Sequence, residues 1–181
     1  MIVSDDFERA TLNPPAPWVA YTGEAAIIGG ELVAKTKLAI LAYCGATFSA
    51  DQFSEATIAA SKPANAYLQV FVRRDPISKA RYGLHWEPLE GGRWALKFDG
   101  MAASSTDYLA TLVTPPPVPG DVLRIEARGT EIRGYLNGTR LLLVNDGRIP
   151  AAREPGVVLN ANLGSPPLPC PFVASFCCGD L

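Results

Sequence analysis

The chain has 181 residues, which is enough for one folded domain with a substantial core. Hydrophobic residues make up 48% of it and charged residues 19%, a composition that excludes a disordered chain. With 16 basic and 18 acidic residues the net charge is −2, which argues against nucleic acid as a partner because phosphate binding requires a basic surface.

The amino-terminal segment Met1–Phe7 has no basic region followed by an apolar run, so it predicts no signal peptide. No apolar run in the chain approaches the roughly 18 residues that a membrane helix needs. We therefore expect a protein that is made in the cytoplasm and has no membrane partner.

Short segments in which apolar and polar residues alternate recur along the chain, and glycine and proline separate them. This pattern is typical of half-buried antiparallel strands, and about a dozen of them predict an all-β, two-sheet antiparallel sandwich. The predicted strands are, in chain order, Ala25–Ile28, Glu31–Lys35, Ser54–Ala60, Tyr67–Arg73, Tyr82–Trp86, Arg93–Asp99, Tyr108–Val113, Asp121–Arg128, two arms of a hairpin within Glu131–Val144, Gly156–Leu163 and Phe172–Cys177.

The hairpin is the clearest of these elements. Asn137 and Gly138 lie between two apolar-rich runs, and both residues tolerate the positive φ that a two-residue type I′ turn requires. The proline-rich stretches Thr114–Pro119 and Ser165–Pro171 are predicted to be loops, because proline cannot donate to a ladder. Both are too short to link domains, so residues 1–181 are expected to form one domain.

The four cysteines are Cys44, Cys170, Cys177 and Cys178, and their spacing fits no zinc site. Reduced, partly buried thiols are the simplest interpretation. A disulfide between Cys170 and one member of the vicinal pair is the alternative.

Several motifs, in this order and spacing, resemble the concanavalin A-like lectin/glucanase superfamily, whose members are jelly-roll sandwiches. The segments that carry the resemblance are Asp5–Arg9 (DDFER), Asp51–Ile58, Tyr67–Arg74, the strand at Tyr82, Trp94–Lys97, Gly120–Glu126 (GDVLRIE), Tyr135–Gly138 (YLNG), Pro155–Val157 and Phe176–Leu181. The resemblance spans nearly the whole chain and implies that the first and last strands are adjacent. It is nearest to bacterial and phage members associated with virions.

Fold alone does not fix function here, because the superfamily includes lectins, glycosidases, lyases, adhesion modules and structural domains. Its glycosidases often carry an ExDxxE-like pattern on one strand, and this chain has none. Asp51 and Glu55 form the nearest acidic pair entering a strand, and we interpret them as solvent-facing charge at a strand end rather than as a catalytic pair. His85 is the single histidine, and no serine elbow or phosphate loop is present, so we expect no catalytic residues and no cofactor.

Carbohydrate binding needs aromatic rings with polar groups that converge beside them. Side chains that alternate with the apolar set meet this need, and the candidate glycan-binding residues are Tyr67, Gln69, Arg73, His85, Glu87, Arg93, Tyr135 and Asn160. Phe71, Lys97 and Asn162 are further candidates on the same reasoning. The alternative is that Tyr67 and Phe71 belong to a core under a loop or a partner.

A structural calcium ion is a minor alternative for the termini, with Asp6 and Asp180 as ligands if the end strands bring them together. Our leading hypothesis is a non-catalytic structural or decoration module of a larger assembly, such as a phage capsid or tail. Its expected partners are other virion proteins and copies of itself, and its location is then the virion. A lectin-like module that attaches to cell-surface polysaccharide is the alternative, and a polysaccharide-active glycosidase or lyase is the second alternative.

Overall fold

The computed structural model describes residues 1–12, 17–60, 66–87, 92–100, 106–151, 153–161 and 168–181, with backbone alone for residues 170 and 171. These residues form fifteen β-strands. The strands are β1 (Ile2–Asp5), β2 (Trp18–Thr22), β3 (Ala25–Ile28), β4 (Glu31–Ala34), β5 (Leu38–Tyr43), β6 (Gln52–Ile58), β7 (Tyr67–Arg74), β8 (Arg81–Glu87), β9 (Arg93–Asp99), β10 (Thr106–Leu112), β11 (Val122–Arg128), β12 (Glu131–Leu136), β13 (Thr139–Asn145), β14 (Glu154–Asn160) and β15 (Cys170–Asp180).

Two antiparallel sheets make up the fold. The eight-stranded sheet has the order β13-β12-β11-β6-β15-β4-β3, with β1 also paired to β15, and the seven-stranded sheet has the order β10-β9-β8-β7-β14-β5-β2. The predicted all-β sandwich and the predicted adjacency of the terminal strands are both confirmed. Among the described residues, no helix is long and apolar enough to cross a membrane.

The core lies between the two sheets and is built from the alternating faces that the sequence predicts. β7 contributes Leu68, Val70 and Val72, and β11 contributes Leu123 and Ile125, all almost fully buried. Burying each such side chain stabilises the fold by about 1.5–3 kcal/mol.

The hairpin between β12 and β13 has the predicted turn. Asn137 and Gly138 adopt φ values of 50° and 76°, the left-handed geometry of a type I′ turn. The side-chain oxygen of Asn137 accepts a hydrogen bond from the Val122 amide at 2.8 Å, and its amide group donates to Asp121 at 2.8 Å. The turn is thereby tied to the start of β11.

Three strands, β1, β2 and β5, are missing from the strands that alternation predicts, and of these only β1 was implied by the resemblance. β5 reads LAILAY, which lacks alternation because both of its faces are covered. Ala39 and Leu41 enter the central core, whereas Leu38 and Ile40 join an apolar cluster on the outer surface of the seven-stranded sheet. Of the predicted loop 165–171, residues 165–167 lie outside the described residues, and residues 170 and 171 begin β15.

The geometry of β15 rules out the alternative disulfide. Cys170 lies opposite Ala34, whereas Cys177 lies opposite Glu55, so the two cysteines are seven positions apart on one extended strand. That spacing is about 23 Å, against the roughly 4.4–6.8 Å between Cα atoms that a disulfide spans. Cys44, Cys177 and Cys178 are free thiols.

A buried carboxylate fixes the amino-terminal segment to the core. Asp5, at the end of β1, accepts two hydrogen bonds from Arg9 at 2.5 and 2.6 Å, one from the Trp18 indole at 2.8 Å and one from the Phe7 amide at 2.9 Å. Burial by itself would raise the pKa of Asp5, but these donors outweigh burial and lower it. The indole of Trp18 in turn packs 4.7 Å from the ring of Phe176 on β15.

Replacing Asp5→Ala should lower the free energy of unfolding by about 1.5–3 kcal/mol, because the change leaves a buried indole N–H and a guanidinium without their acceptor. The neighbouring Asp6→Ala is the matched control, since Asp6 is exposed and bonds only locally to the Glu8 amide. Urea denaturation at neutral pH measures both variants. Equal effects of the two substitutions would contradict this role of Asp5.

Candidate functional site

The outer surface of the seven-stranded sheet collects most of the predicted site residues. Strand pairing places Tyr67 opposite Asn160, Gln69 opposite His85, and Glu87 opposite Arg93. Tyr67, Gln69 and His85 alternate with core residues of β7 and β8, so their side chains point away from the core. Asn160 also shares a hydrogen bond with the Tyr67 hydroxyl.

This surface has two halves of different character. The half formed by β5, β14 and the middle of β7 is apolar, with Phe71, Val158 and Ala42 buried at its centre. The other half, which we call the polar face, consists of Tyr67, Gln69, Arg81, His85, Glu87, Arg93, Lys97, Asp99 and Tyr108.

A glycine in β8 lets one side chain cross the polar face. A Cβ atom on Gly83 would lie 1.8 Å from the side-chain nitrogen of Gln69, so Gln69 occupies the space above this glycine. From there it donates to a carboxylate oxygen of Asp99 on β9 at 3.3 Å. Gly83 therefore permits a hydrogen bond that links β7 to β9 across the intervening strand.

Asp99 is the centre of the first charged group. Arg81 lies 2.8 Å from one of its oxygens, Lys97 lies 3.5 Å from the other, and the Thr106 hydroxyl donates to it at 3.1 Å. Burial would raise the pKa of Asp99, but Arg81, Lys97 and the hydrogen bonds outweigh it and lower the pKa. Asp99 is therefore an ionised acceptor at neutral pH.

Glu87 is the centre of the second charged group, at the rim of the polar face. Arg93 pairs with it at 3.0 Å, and the Tyr108 hydroxyl donates to it at 2.9 Å. The guanidinium of Arg93 also lies 4.6 Å from the centroid of the Tyr108 ring. Tyr108 is 45% exposed, so it is an aromatic ring held in place by polar neighbours and open to solvent.

His85 lies between the two charged groups and is almost completely buried. The ring of Tyr67 covers it, with 5.1 Å between the ring centroids. Burial lowers the pKa of His85 to about 3, and Lys97 contributes to this shift. The imidazole is therefore neutral at physiological pH and has a nitrogen acceptor.

Three buried polar atoms of the polar face have no hydrogen-bond partner in the described part of the chain. They are the side-chain oxygen of Gln69, Nδ1 of His85 and Nε of Arg81. Buried polar groups in folded proteins are nearly always paired, so unpaired ones that cluster in one place mark sites for ordered water. Together they provide acceptors and a donor for such water.

The structure separates two predicted residues from this face. Arg73 lies at a bulge with φ 53°, and its side chain turns inward to donate to the Ala50 and Ile149 carbonyls at 2.7 and 3.0 Å. Tyr135 lies on β12 of the other sheet, where its hydroxyl donates to Glu126. The bulge breaks the alternation that placed Arg73 outward. Asn162 lies outside the described residues.

The acidic residues considered from sequence also lie elsewhere. Asp51 accepts a hydrogen bond from the Gly129 amide, and Glu55 pairs with Arg124 on the eight-stranded sheet. The end strands do pair, but their register, with Asp5 opposite Phe176, leaves Asp6 and Asp180 about 15 Å apart. They cannot share one calcium ion. No group of three metal-ligating side chains occurs among the residues that the structure describes.

Sequence reasoning missed Arg81, Asp99 and Tyr108. Asp99 lies an even number of positions from Arg93 and Lys97 on β9, so the alternation of side chains alone predicts that it shares their face. Arg81 and Tyr108 carried no such signal, because each lies near a strand end whose position only the pairing with β9 defines.

A cavity of about 350 Å³ opens at the opposite end of the apolar half. It is lined by Ala46, Thr47, Phe48, Asp75, Pro76, Ile77, Arg153 and Glu154. Arg153 donates to Asp75 at 2.9 Å, and Glu154 receives hydrogen bonds from Arg74 and Tyr21 at 2.8 and 2.7 Å. Its charged side chains are thus already paired with one another or with the adjoining sheet.

Known structures share this architecture at low sequence identity. The carbohydrate-binding module CBM66 from Bacillus subtilis has 16% identity and a TM-score of 0.64, with 91% of this chain and 92% of that chain covered. The endo-β-1,3-glucanase from Pyrococcus furiosus has 15% identity and a TM-score of 0.65, with 97% and 92% covered. The Bacillus licheniformis β-glucanase has 8% identity and a TM-score of 0.67, with 99% and 98% covered.

No protein-family model and no curated protein sequence matches the chain. The structural similarities span nearly the full length of both partners, so the chain has the concanavalin A-like jelly-roll fold that its motifs indicated. The similar structures comprise a carbohydrate-binding module and glycoside hydrolases.

The single histidine allows a direct test of the polar face. The ordinary pKa of histidine in an unfolded chain is about 6.5. Since the folded pKa of His85 is about 3, the unfolded state binds more protons below pH 6.5 or so. The contribution of His85 to stability should be complete above that pH and fall as the solution becomes more acidic.

Two measurements check this expectation. In proton NMR, the chemical shift of the His85 ring should stay constant from about pH 8 to 5. In urea denaturation, the free energy of unfolding should fall less between about pH 6.5 and 5 in His85→Gln than in the wild type. That window lies above the ordinary titration of carboxylates. A midpoint near 6.5 in the folded protein would show that the imidazole is accessible to solvent and is not buried.

Proposed function

We propose that the protein is a glycan-binding module and that the polar face is its binding surface. The observation that carries the proposal is the ring of Tyr108, which is 45% exposed and is held in place by Glu87 and Arg93 at the rim of the polar face. Sugars stack their C–H surfaces on aromatic rings, while their hydroxyls accept and donate hydrogen bonds. Tyr108 supplies the ring, and Glu87 at the rim supplies a charged acceptor, which binds hydroxyls more strongly than a neutral one.

The comparisons support carbohydrate as the class of ligand. A carbohydrate-binding module and two enzymes named as β-glucanases share the fold over nearly its whole length. A β-1,3-glucan oligosaccharide is therefore the first probe to try. We propose that the protein binds such an oligosaccharide without cleaving it.

The electrostatics of the polar face favour binding over hydrolysis. Glycoside hydrolysis requires a carboxylic acid that stays protonated near neutral pH, together with a second carboxylate. Asp99 is held ionised by Arg81 and Lys97, and Glu87 is paired with Arg93. A glycosidase is the second candidate, because Glu87 and Asp99 do share one face.

Titration of the protein with a β-1,3-glucan oligosaccharide, followed by NMR and calorimetry, should perturb resonances of the polar face. Tyr108→Ala should weaken binding about tenfold or more, which corresponds to about 1.4 kcal/mol, because the stacking ring is lost. Glu87→Gln should weaken binding similarly through loss of the charged acceptor. Tyr135→Ala is the matched control, since it removes a tyrosine from the outer side of the opposite sheet.

A glycan array extends the test to other sugars, including N-acetylglucosamine oligosaccharides. Absence of binding to every glycan, or equal binding by Tyr108→Ala and the wild type, would overturn the proposal. Release of reducing sugar that disappears in both Glu87→Gln and Asp99→Asn would establish the glycosidase instead.

We also propose that the module is a structural or decoration part of a larger assembly, such as a phage virion, with assembly proteins and further copies of itself as partners. The supporting observation is the exposed apolar side chains at and beyond the end of edge strand β10, namely Leu112, Val113 and Val118. Mass spectrometry of purified particles should find the chain in a fixed ratio to the major structural protein. A protein that stays monomeric and binds to no particle would contradict this role.

A further inference from the structure

The segment between β10 and β11 has an unusual backbone. Four of the five residues from 115 to 119 are proline, in the order Pro-Pro-Pro-Val-Pro. Each proline fixes its own φ near −65°, and each residue that precedes a proline is restricted to extended conformations. Thr114, Pro115 and Pro116 all precede a proline, so the local chemistry dictates a polyproline II helix, which has about three residues per turn.

Solvent exposure differs between the edges of this helix. Thr114 and Pro117, three positions apart, are half-buried, whereas Pro115, Pro116 and Val118 are exposed. Pro117 lines a small cavity of about 10 Å³ together with Tyr67 and Trp86. One edge of the helix therefore rests on the domain, and the other two edges face solvent.

Both ends of the segment are fixed. Val113 directly follows β10, and at the other end Pro119 and Gly120 form a turn in which Gly120 has φ 87° and the Asp121 amide donates to the Val118 carbonyl at 3.1 Å. The Val118 amide donates to the Asp121 side chain at 2.7 Å. The Gly120 amide donates to the carbonyl of Ile58 in the eight-stranded sheet at 3.0 Å.

The exposed edges form an apolar ridge, which we define as Val113, Pro115, Pro116 and Val118. Val113 is 76% exposed and Val118 is 57% exposed. The prolines have no N–H, and the amide of Val118 already donates to Asp121. The carbonyls of Val118 and Pro115 accept hydrogen bonds from the Asp121 amide and the Thr114 hydroxyl, so the ridge offers mainly apolar surface, with the carbonyl of Pro116 beside it. Because its conformation is fixed in advance, little entropy is lost when a partner binds it.

We propose that this ridge is a docking motif for a partner protein whose surface groove is lined by aromatic side chains. Aromatic grooves recognise polyproline II helices by packing against proline rings and donating hydrogen bonds to the exposed carbonyls. The ridge presents its solvent-facing edges in this conformation, already folded. The proposal does not depend on glycan binding, because none of the four ridge residues belongs to the polar face. It does rest on the proposed assembly role, since Val113 and Val118 are also the side chains that support that role, and it names the kind of partner that they meet.

The test uses the full 181-residue chain, labelled with ¹⁵N, and purified WW and SH3 domains as probes with aromatic grooves. At least one probe should shift resonances confined to residues 112–120. The double variant Pro115→Ala/Pro116→Ala should bind that probe at least about tenfold more weakly, because it loses both rings and the fixed backbone. Pro150→Ala, at an exposed proline in another loop, should bind as the wild type does.

A second variant separates loss of contact from loss of structure. Val113→Ser/Val118→Ser keeps every proline and should also weaken binding while it keeps the wild-type unfolding midpoint in urea. The proline double variant should remain folded with a midpoint that is only slightly lower, because two prolines that restrict the unfolded chain are lost. The proposal is overturned if no probe binds, or if the proline double variant binds as tightly as the wild type. It is also overturned if the ridge instead mediates self-association that sedimentation detects and the proline variant abolishes, since the occupant is then a second copy.

Discussion

The position of β7 constrains the rest of this structure. β7 lies in the middle of the seven-stranded sheet, and both of its faces are buried. One face supplies Leu68, Val70 and Val72 to the core, as any sandwich strand does. The other face buries Gln69, a polar side chain that needs hydrogen-bond partners away from water. Gly83 allows Gln69 to find such a partner, because it leaves space for the Gln69 side chain to cross β8 and donate a hydrogen bond to Asp99.

The charges of the polar face follow from the same burial. Asp99 is accompanied by Arg81 and Lys97, since an unpaired buried carboxylate would be costly. His85 avoids the cost of an unpaired buried charge by staying neutral. Pairing is nevertheless incomplete, because the Gln69 oxygen and His85 Nδ1 have no partner in the described part of the chain. The polar face combines these fixed charges with the half-exposed ring of Tyr108, which is the basis of the proposed binding of a polyhydroxylated ligand. At Tyr67 it adjoins the small cavity that Pro117 lines, so the polar face and the proline-rich segment are neighbours.

Local chemistry predicted a large part of the fold. Alternation predicted the faces of β7, β9 and β11, and Asn137-Gly138 predicted the hairpin turn, because the period of a strand and the φ of a turn depend on neighbouring residues alone. The alternation of side chains along each strand also placed Gln69, His85 and Arg93 correctly on outward faces. It failed for Arg73, where a bulge reverses the direction of the side chain, and for β5, whose two buried faces remove the alternation.

The sequence by itself therefore determined the all-β class, most strand positions, the turn at Asn137 and the loop at Thr114–Pro119, whose prolines restrict φ. Each of these depends on φ restriction or on a period of two, which are properties of adjacent residues. Only the tertiary structure decided which strands pair, and hence that Tyr135 lies on the opposite sheet and that Asp6 and Asp180 are far apart. It also decided that Asp99, Arg81 and Tyr108 complete the polar face, because strand order and register depend on how two whole sheets bury their apolar faces against each other.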